Sequence, residues 1–179
     1  MSDAAFDSIL RGARANSRWA WERIYDEHAP RVLQFARVQG AQDPDAIVGE
    51  VFVRVVRSLH TFNGSADDFR GWVYRIAQNC VRDAGRAAAS DPVPMEQAPE
   101  GESPDTADIV DQRDAERRLV RMLGAPPPDQ RSVIYLRVVL DMSLREVADV
   151  LETSVPAVKM LQQRGMKTLR ERTFFTDST

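Results

Sequence analysis

At 179 residues with 43% apolar content, the chain holds enough hydrophobic material for one medium domain or two small ones. No apolar run approaches a membrane span, and the start MSDAAFDSIL lacks a basic-then-apolar signal pattern, so the expected location is cytoplasmic. The formal charge of −3 speaks against general nucleic-acid affinity, yet residues 1–90 carry net +1, residues 91–116 net −8 and residues 117–179 net +4, so an acidic middle hides a basic C-terminal part.

In chain order, residues 6–38 read as helix, because Trp21, Ile24, Tyr25, His28, Val32, Phe35 and Ala36 follow helical spacing. Pro30 is expected to kink or interrupt it, since it lacks an N–H and crowds the preceding turn. Gly40 and Asp43-Pro44 mark a turn. A second helix runs to about His60 on Ile47, Val48, Val51, Phe52, Val55, Val56 and Leu59; it is rich in β-branched residues and must be held by tertiary packing. A polar loop, Thr61–Asp68, carries the turn signal Asn63-Gly64.

The third helix, Phe69–Arg86, has the most informative pattern. Phe69, Trp72, Val73, Ile76, Ala77, Cys80 and Val81 form one wide buried face. On its flank Arg75, Asn79, Arg82 and Arg86 recur at steps of four, three and four, a single stripe of three guanidiniums and one amide. Such a stripe can hold a phosphate backbone and read base edges, or it can be a solvated basic edge. Cys80 lies on the apolar face and reads as a small buried hydrophobe. His28 and His60 have no cysteine or histidine neighbours at ligand spacing, so no metal site is expected.

Residues 91–113 are acidic, proline-rich and without apolar periodicity, and are expected to be a flexible linker between a domain at 1–90 and another at 114–179. The second domain opens with a helix from about Asp114 to Leu123, which Gly124-Ala-Pro-Pro-Pro128 breaks. A helix from Asp129 to about Leu140 follows. Ser143-Leu-Arg-Glu146 has the form of a capping box opening a short helix, and Ser154 caps the next, with Pro156 in its first turn. The pair has the size of a helix-turn-helix, and its second helix carries Lys159, Gln162, Gln163, Arg164 and Lys167, residue types that contact phosphates and purine edges.

FRGWVYRIAQNCVRDAGR resembles the pattern F-R-x-W-x-x-x-I-A-x-N-x-x-x-D-x-x-R of extracytoplasmic-function sigma factors, matching at Phe69, Arg70, Trp72, Ile76, Ala77, Asn79, Asp83 and Arg86. The stretch from Leu123 to Arg172 resembles the family's sigma4 domain, and residues 21–86 its sigma2 domain. The resemblance implies an all-α fold of two small helical domains, a sigma2-like bundle and a sigma4-like helix-turn-helix domain. It implies core RNA polymerase (β′ clamp and β flap), promoter DNA and an anti-sigma protein as partners. It places Arg75, Asn79, Arg82, Arg86, Asn63 and Trp72 at the −10 element, with the loop Phe62–Asp68 as a pocket wall for an extruded base. It places Lys159, Gln162, Gln163, Arg164 and Lys167 at the −35 element, and Glu50, Phe52 and Arg54 at the polymerase. Trp72 has two possible roles, a melting wedge or core packing, and its place in the apolar stripe favours packing.

No Gly-rich phosphate loop, paired carboxylates in an apolar pocket or nucleophile with a base partner can be assembled, so neither catalysis nor a cofactor is expected. The chain departs from the family where Ala46 replaces an acidic residue and Gly49 a glutamine of the polymerase-binding segment. It departs again where Glu152 stands for the usual turn glycine, Leu161 for a frequent arginine and Gln162 for a core leucine. These departures motivate an alternative, a sigma-like adaptor that binds a regulator and no longer drives initiation.

Overall fold

In the computed structural model, which describes residues 3–90 and 107–176, the N-terminal helical run divides at Asn16 and not at Pro30. Helix α1 (Asp3–Arg14) ends where Asn16 takes φ 57° and the Ser17 N–H donates back to the Gly12 carbonyl. Asparagine tolerates this left-handed region better than most residues. Helix α2 (Arg18–Gln39) then continues through Pro30, which is exposed, so the ring and the missing hydrogen bond fall on the solvent side. Gly40 closes α2 at φ 77°, its N–H reaching the Ala36 and Arg37 carbonyls. A Cβ would strain that conformation.

Asp43 caps α3 (Pro44–Ser58) by accepting from the Ala46 N–H at 2.9 Å, with Pro44 in the first turn. A 3₁₀ turn, Leu59–Thr61, ends it. Helix α4 (Ala66–Ser90) starts one turn earlier than the apolar pattern shows. The early start has a local cause: the Ser65 N–H and hydroxyl both donate to the Asp68 carboxylate, and Ser65 Oγ accepts from the Asp68 N–H.

The last residues of the expected linker, 107–113, are the first turns of helix α5 (Ala107–Leu123); the other linker residues, 91–106, lie outside the described residues. Helix α6 (Pro128–Ile134) passes into a π-helical turn, Tyr135–Val139, so the expected single helix to Leu140 has two windings. Helix α7 (Leu144–Val150) carries the full capping box, Ser143 with Glu146. Ser154 Oγ accepts from the Ala157 N–H at the start of α8 (Val155–Thr176). Between α7 and α8, Glu152 adopts φ 52°, the strained conformation its replacement of glycine implies. No strand occurs among the described residues.

The helices of residues 3–90 and 107–176 share one hydrophobic cluster. Phe35 of α2 packs on Tyr74 of α4 at 5.7 Å and on Tyr135 of the π turn at 5.3 Å. Tyr135 has no exposed surface, and its hydroxyl lies 2.8 Å from Gln34 Oε1 and 3.0 Å from the Arg31 carbonyl. Ser132, also fully buried, accepts from Gln39 Nε2 at 3.0 Å and donates to Gln78 Oε1 at 2.9 Å. Arg131 donates to the Val38 carbonyl at 2.9 Å and, on its own side, to the carbonyls of Gly124 and Pro126. Buried polar groups are tolerable only when paired, and these pairs form across the joint itself.

Candidate nucleic-acid interface

Helix α4 presents the stripe, and the structure divides its members by what surrounds them. Arg75 is exposed and shares a cleft of about 380 Å³ with Asn63, Trp72, Asp67 and Asp68. Asn79 is half-buried one turn further on. Arg82 is half-buried and lies 3.6 Å from Asp129, at the start of α6. Arg86 is exposed and pairs with Asp83 at 3.3 Å. The stripe therefore exists as a row on one helix, with α6 and α7 reaching over parts of it.

The loop before α4 is fixed from below. Phe62 is buried, with its ring 5.2 Å from both Phe69 and Trp72. Trp72 lies 5.5 Å from Phe69 and is half-buried, so it closes the edge of the aromatic cluster while one side lines the cleft. The ring thus packs on the aromatic cluster and also faces the cleft. Asn63 is exposed at the rim. The two bonds from Ser65 hold the Asp68 carboxyl below the usual carboxylate range, which places a fixed negative charge at the mouth of the cleft.

The polymerase-binding residues of the sequence reading separate into core and surface. Phe52 is buried and packs on Tyr25 at 4.8 Å. Glu50 is exposed and accepts from Arg54 at 2.7 Å; Arg54 also reaches Asp83 of α4 at 3.2 Å. An ion-pair chain Glu50–Arg54–Asp83–Arg86 thus crosses from α3 to the end of the stripe. Burial pushes the Cys80 thiol beneath this chain up to about 11, so it stays a neutral thiol on the apolar face.

On α8, Lys159, Gln163, Arg164 and Lys167 are exposed, whereas Gln162 and Leu161 are half-buried. Lys159, Gln162, Gln163 and Met166 line a shallow groove with Leu144 of α7 and Arg170. Gly165 is buried against α6, where an added Cβ would stand 2.6 Å from Ile134 Cδ1. The inner face of α8 is thereby docked and the outer face left to its cations.

The sequence reading did not assign a site role to Arg70, Gln39, Gln78, Arg131 or Ser132, all of which link the two halves. Arg70 pairs with Glu146 of α7 at 3.2 Å and lies 3.5 Å from the Leu140 carbonyl. Burial opposes ionisation of Glu146, but the bonds from Ser143 and the Arg70 charge hold its carboxyl below the usual range. The available signal was a polar residue at an apolar-face position: Gln78 stands among Ala77, Val81 and Tyr74, and Ser132 opens Ser-Val-Ile-Tyr-Leu.

Among the described residues, no group of histidine, cysteine and carboxylate side chains could hold a metal ion, and no helix is long and apolar enough to cross a membrane.

Comparison with known proteins converges on one family. Residues 24–90 match Sigma-70 region 2 and residues 116–169 match Sigma-70, region 4. The ECF RNA polymerase sigma factor SigD of Mycobacterium tuberculosis is 27% identical over 180 residues, covering 96% of this chain and 85% of that protein. SigX of Bacillus subtilis is 29% identical, covering 84% of this chain and 82% of that one. BldN of Streptomyces coelicolor is 28% identical over 90% of this chain, which spans only 63% of BldN's length. Among solved structures, CnrH in complex with the cytosolic domain of CnrY is similar at a TM-score of 0.66 and 26% identity, covering 96% of this chain and 97% of that one.

Proposed function

The chain belongs to the sigma-70 family as an extracytoplasmic-function sigma factor, and from that premise we propose that it binds core RNA polymerase, recognises a promoter with both halves and helps open the duplex. The observation that carries this reading is the pairing of two different nucleic-acid surfaces on one chain. An Arg-Asn-Arg-Arg row on α4 stands beside a rigid aromatic-backed cleft, and a separate cationic face lies on the second helix of a helix-turn-helix. The polymerase supplies the chemistry; this chain supplies position.

In this reading Arg75, Asn79, Arg82 and Arg86 follow the backbone and bases of the −10 element. Asn63 and the rim of the cleft accept a base drawn from the stack, offsetting part of the unstacking free energy with pocket contacts. Lys159, Gln163, Arg164 and Lys167 sit in the major groove of the −35 element, with the half-buried Gln162 at the edge of that surface. The exposed Glu50 and the half-buried Arg54 offer the charged face of α3 to the polymerase clamp, with Phe52 beneath them as support. CnrH, the similar structure, was solved in complex with the cytosolic domain of CnrY, and an anti-sigma protein is the corresponding regulator here.

The test is transcription in vitro with purified core polymerase on a promoter panel. Promoter-dependent initiation on adding this chain supports the reading. Tight polymerase binding without initiation at any promoter would instead make it an adaptor.

A further inference from the structure

We propose that Met160 is a base-reading residue, its side chain packing on the C5 methyl group of a thymine in the −35 element. This rests on the sigma-factor reading above and names the base that the α8 surface selects. Met160 is 53% exposed, and among the described side chains of α8 it is the one large apolar residue in that state. The exposed residues around it are Lys159, Gln163, Arg164 and Lys167, all of them hydrogen-bonding or cationic. The docked face of α8 fixes where Met160 points. Val158 has no exposed surface, and Gly165 lies against Ile134 of α6, so these two mark that face. At about 3.6 residues per turn, Met160 stands about 140–160° around the helix from both. It therefore projects away from the protein, in one row with the exposed Pro156 and Lys167. The groove beside α7, lined by Lys159, Gln163 and Arg170, lies about 60–100° to one side of it.

The outward row of α8 is thus apolar in its first two turns, at Pro156 and Met160, and cationic beyond them, at Arg164 and Lys167. In a helix-turn-helix the N-terminal residues of the second helix contact the base edges. The apolar group that the major groove displays there is the thymine methyl. Packing Met160 on it removes apolar surface of both partners from water. Cytosine at the same place has a hydrogen instead of the methyl, and it adds an amino donor that a thioether, a weak acceptor, satisfies poorly. The cations flanking Met160 seat on phosphates and set the depth of the helix in the groove, without choosing the base. Met160 makes the choice.

The test uses holoenzyme assembled from the full chain and core polymerase, on the promoter of the panel above that initiates best. Each thymine of its −35 element, on either strand, is replaced in turn by deoxyuridine, which keeps the hydrogen-bonding edge and lacks the methyl. Promoter affinity is measured for the wild type, Met160→Ala and Met160→Leu, beside thermal melts of the free proteins. One uracil position is expected to weaken the wild-type complex about fourfold, the factor that burial of a single methyl-sized group gives. Met160→Ala should weaken binding to the thymine duplex by at least that factor, and the same uracil should then cost nothing further, so that the two losses do not add. Met160→Leu should restore the sensitivity to uracil. The melts should be unchanged, because the side chain is exposed and no core contact is lost. An element without a uracil-sensitive thymine, or a uracil penalty that Met160→Ala leaves intact, overturns the proposal and leaves the sigma reading standing. If no promoter of the panel is initiated, the sigma reading fails and this assignment falls with it.

Discussion

His28 sits on the buried face of α2, its ring 5.4 Å from Phe69. Burial is the main cause that lowers its pKa below 6.5, with the Glu27 charge opposing and Arg31 and Arg70 assisting. A histidine whose folded pKa lies below its unfolded one leaves the unfolded state binding more protons. Stability is then full above the unfolded value and falls as the pH drops below it. Denaturant titrations at about pH 8 and about pH 5 should therefore show a loss in acid that His28→Leu reduces. An equal acid loss in both proteins would remove His28 from the account. The stripe residues give a second residue-scale prediction. Arg75 has an exposed guanidinium, and Arg75→Ala should weaken binding to every −10 variant alike and lower the salt slope by about one unit. Asn79→Ala should relax preference at one promoter position by about 1–3 kcal/mol, read by open-complex formation on single-base variants. Uniform weakening by Asn79→Ala would make it a support for the helix. Arg82 is a poor choice for either test, because its partner Asp129 belongs to the other half. The row itself was legible from spacing; the carboxylates Asp129 and Glu146 across from α4 were not, since they are distant in sequence from Arg82 and Arg70 and meet them only through the fold.

At the scale of elements, the periodicity identified the helices well and their ends less well. Ends depend on single side chains: Ser65 with Asp68 starts α4 early, and Asn16 splits α1 from α2, neither of which an apolar pattern records. The capping box at Ser143 and the cap at Ser154 were legible because both signals are short and polar. The π winding at Tyr135–Val139 was not, because Val-Ile-Tyr-Leu-Arg-Val-Val-Leu suits either winding and only the docking of Tyr135 decides it. Two departures from the family pattern carry predictions here. Gly49 is exposed in α3 with nothing within 4 Å of an added Cβ, so Gly49→Ala should stabilise the free chain by about 1 kcal/mol. For a chain of this size that is a rise of about 2–4 °C in Tm. Glu152 holds φ 52° in the helix-turn-helix turn, and Glu152→Gly should relieve strain of about 1 kcal/mol. Thermal melts of each variant and of the pair check both. Gains that fail to add would mean that the two halves do not transmit stability independently, since the sites share no partner.

The whole molecule poses the question of whether two halves with separate tasks fold as one unit. Composition and the acidic stretch pointed to two domains, and two family models match residues 24–90 and 116–169 separately. The structure adds a shared core, in which Phe35 touches Tyr74 and Tyr135 and the Gln39–Ser132–Gln78 bonds are sealed from water. A joint of that kind couples the halves in the free chain, so calorimetry should give one transition whose calorimetric and van't Hoff enthalpies agree. Ser132→Ala is the sharpest perturbation, because it removes the acceptor of Gln39 and the donor to Gln78 together and strands two buried amides. Leaving such groups unpaired costs about 1–3 kcal/mol. Because that loss falls on the joint and not on the interior of either half, it should broaden or split the transition more than it lowers the stability of each part. A core truncation such as Val51→Ala, inside the sigma2-like half alone, should shift a single transition downward by about 1–3 kcal/mol and leave it sharp. If Ser132→Ala merely shifts one sharp transition as Val51→Ala does, the halves form one inseparable folding unit.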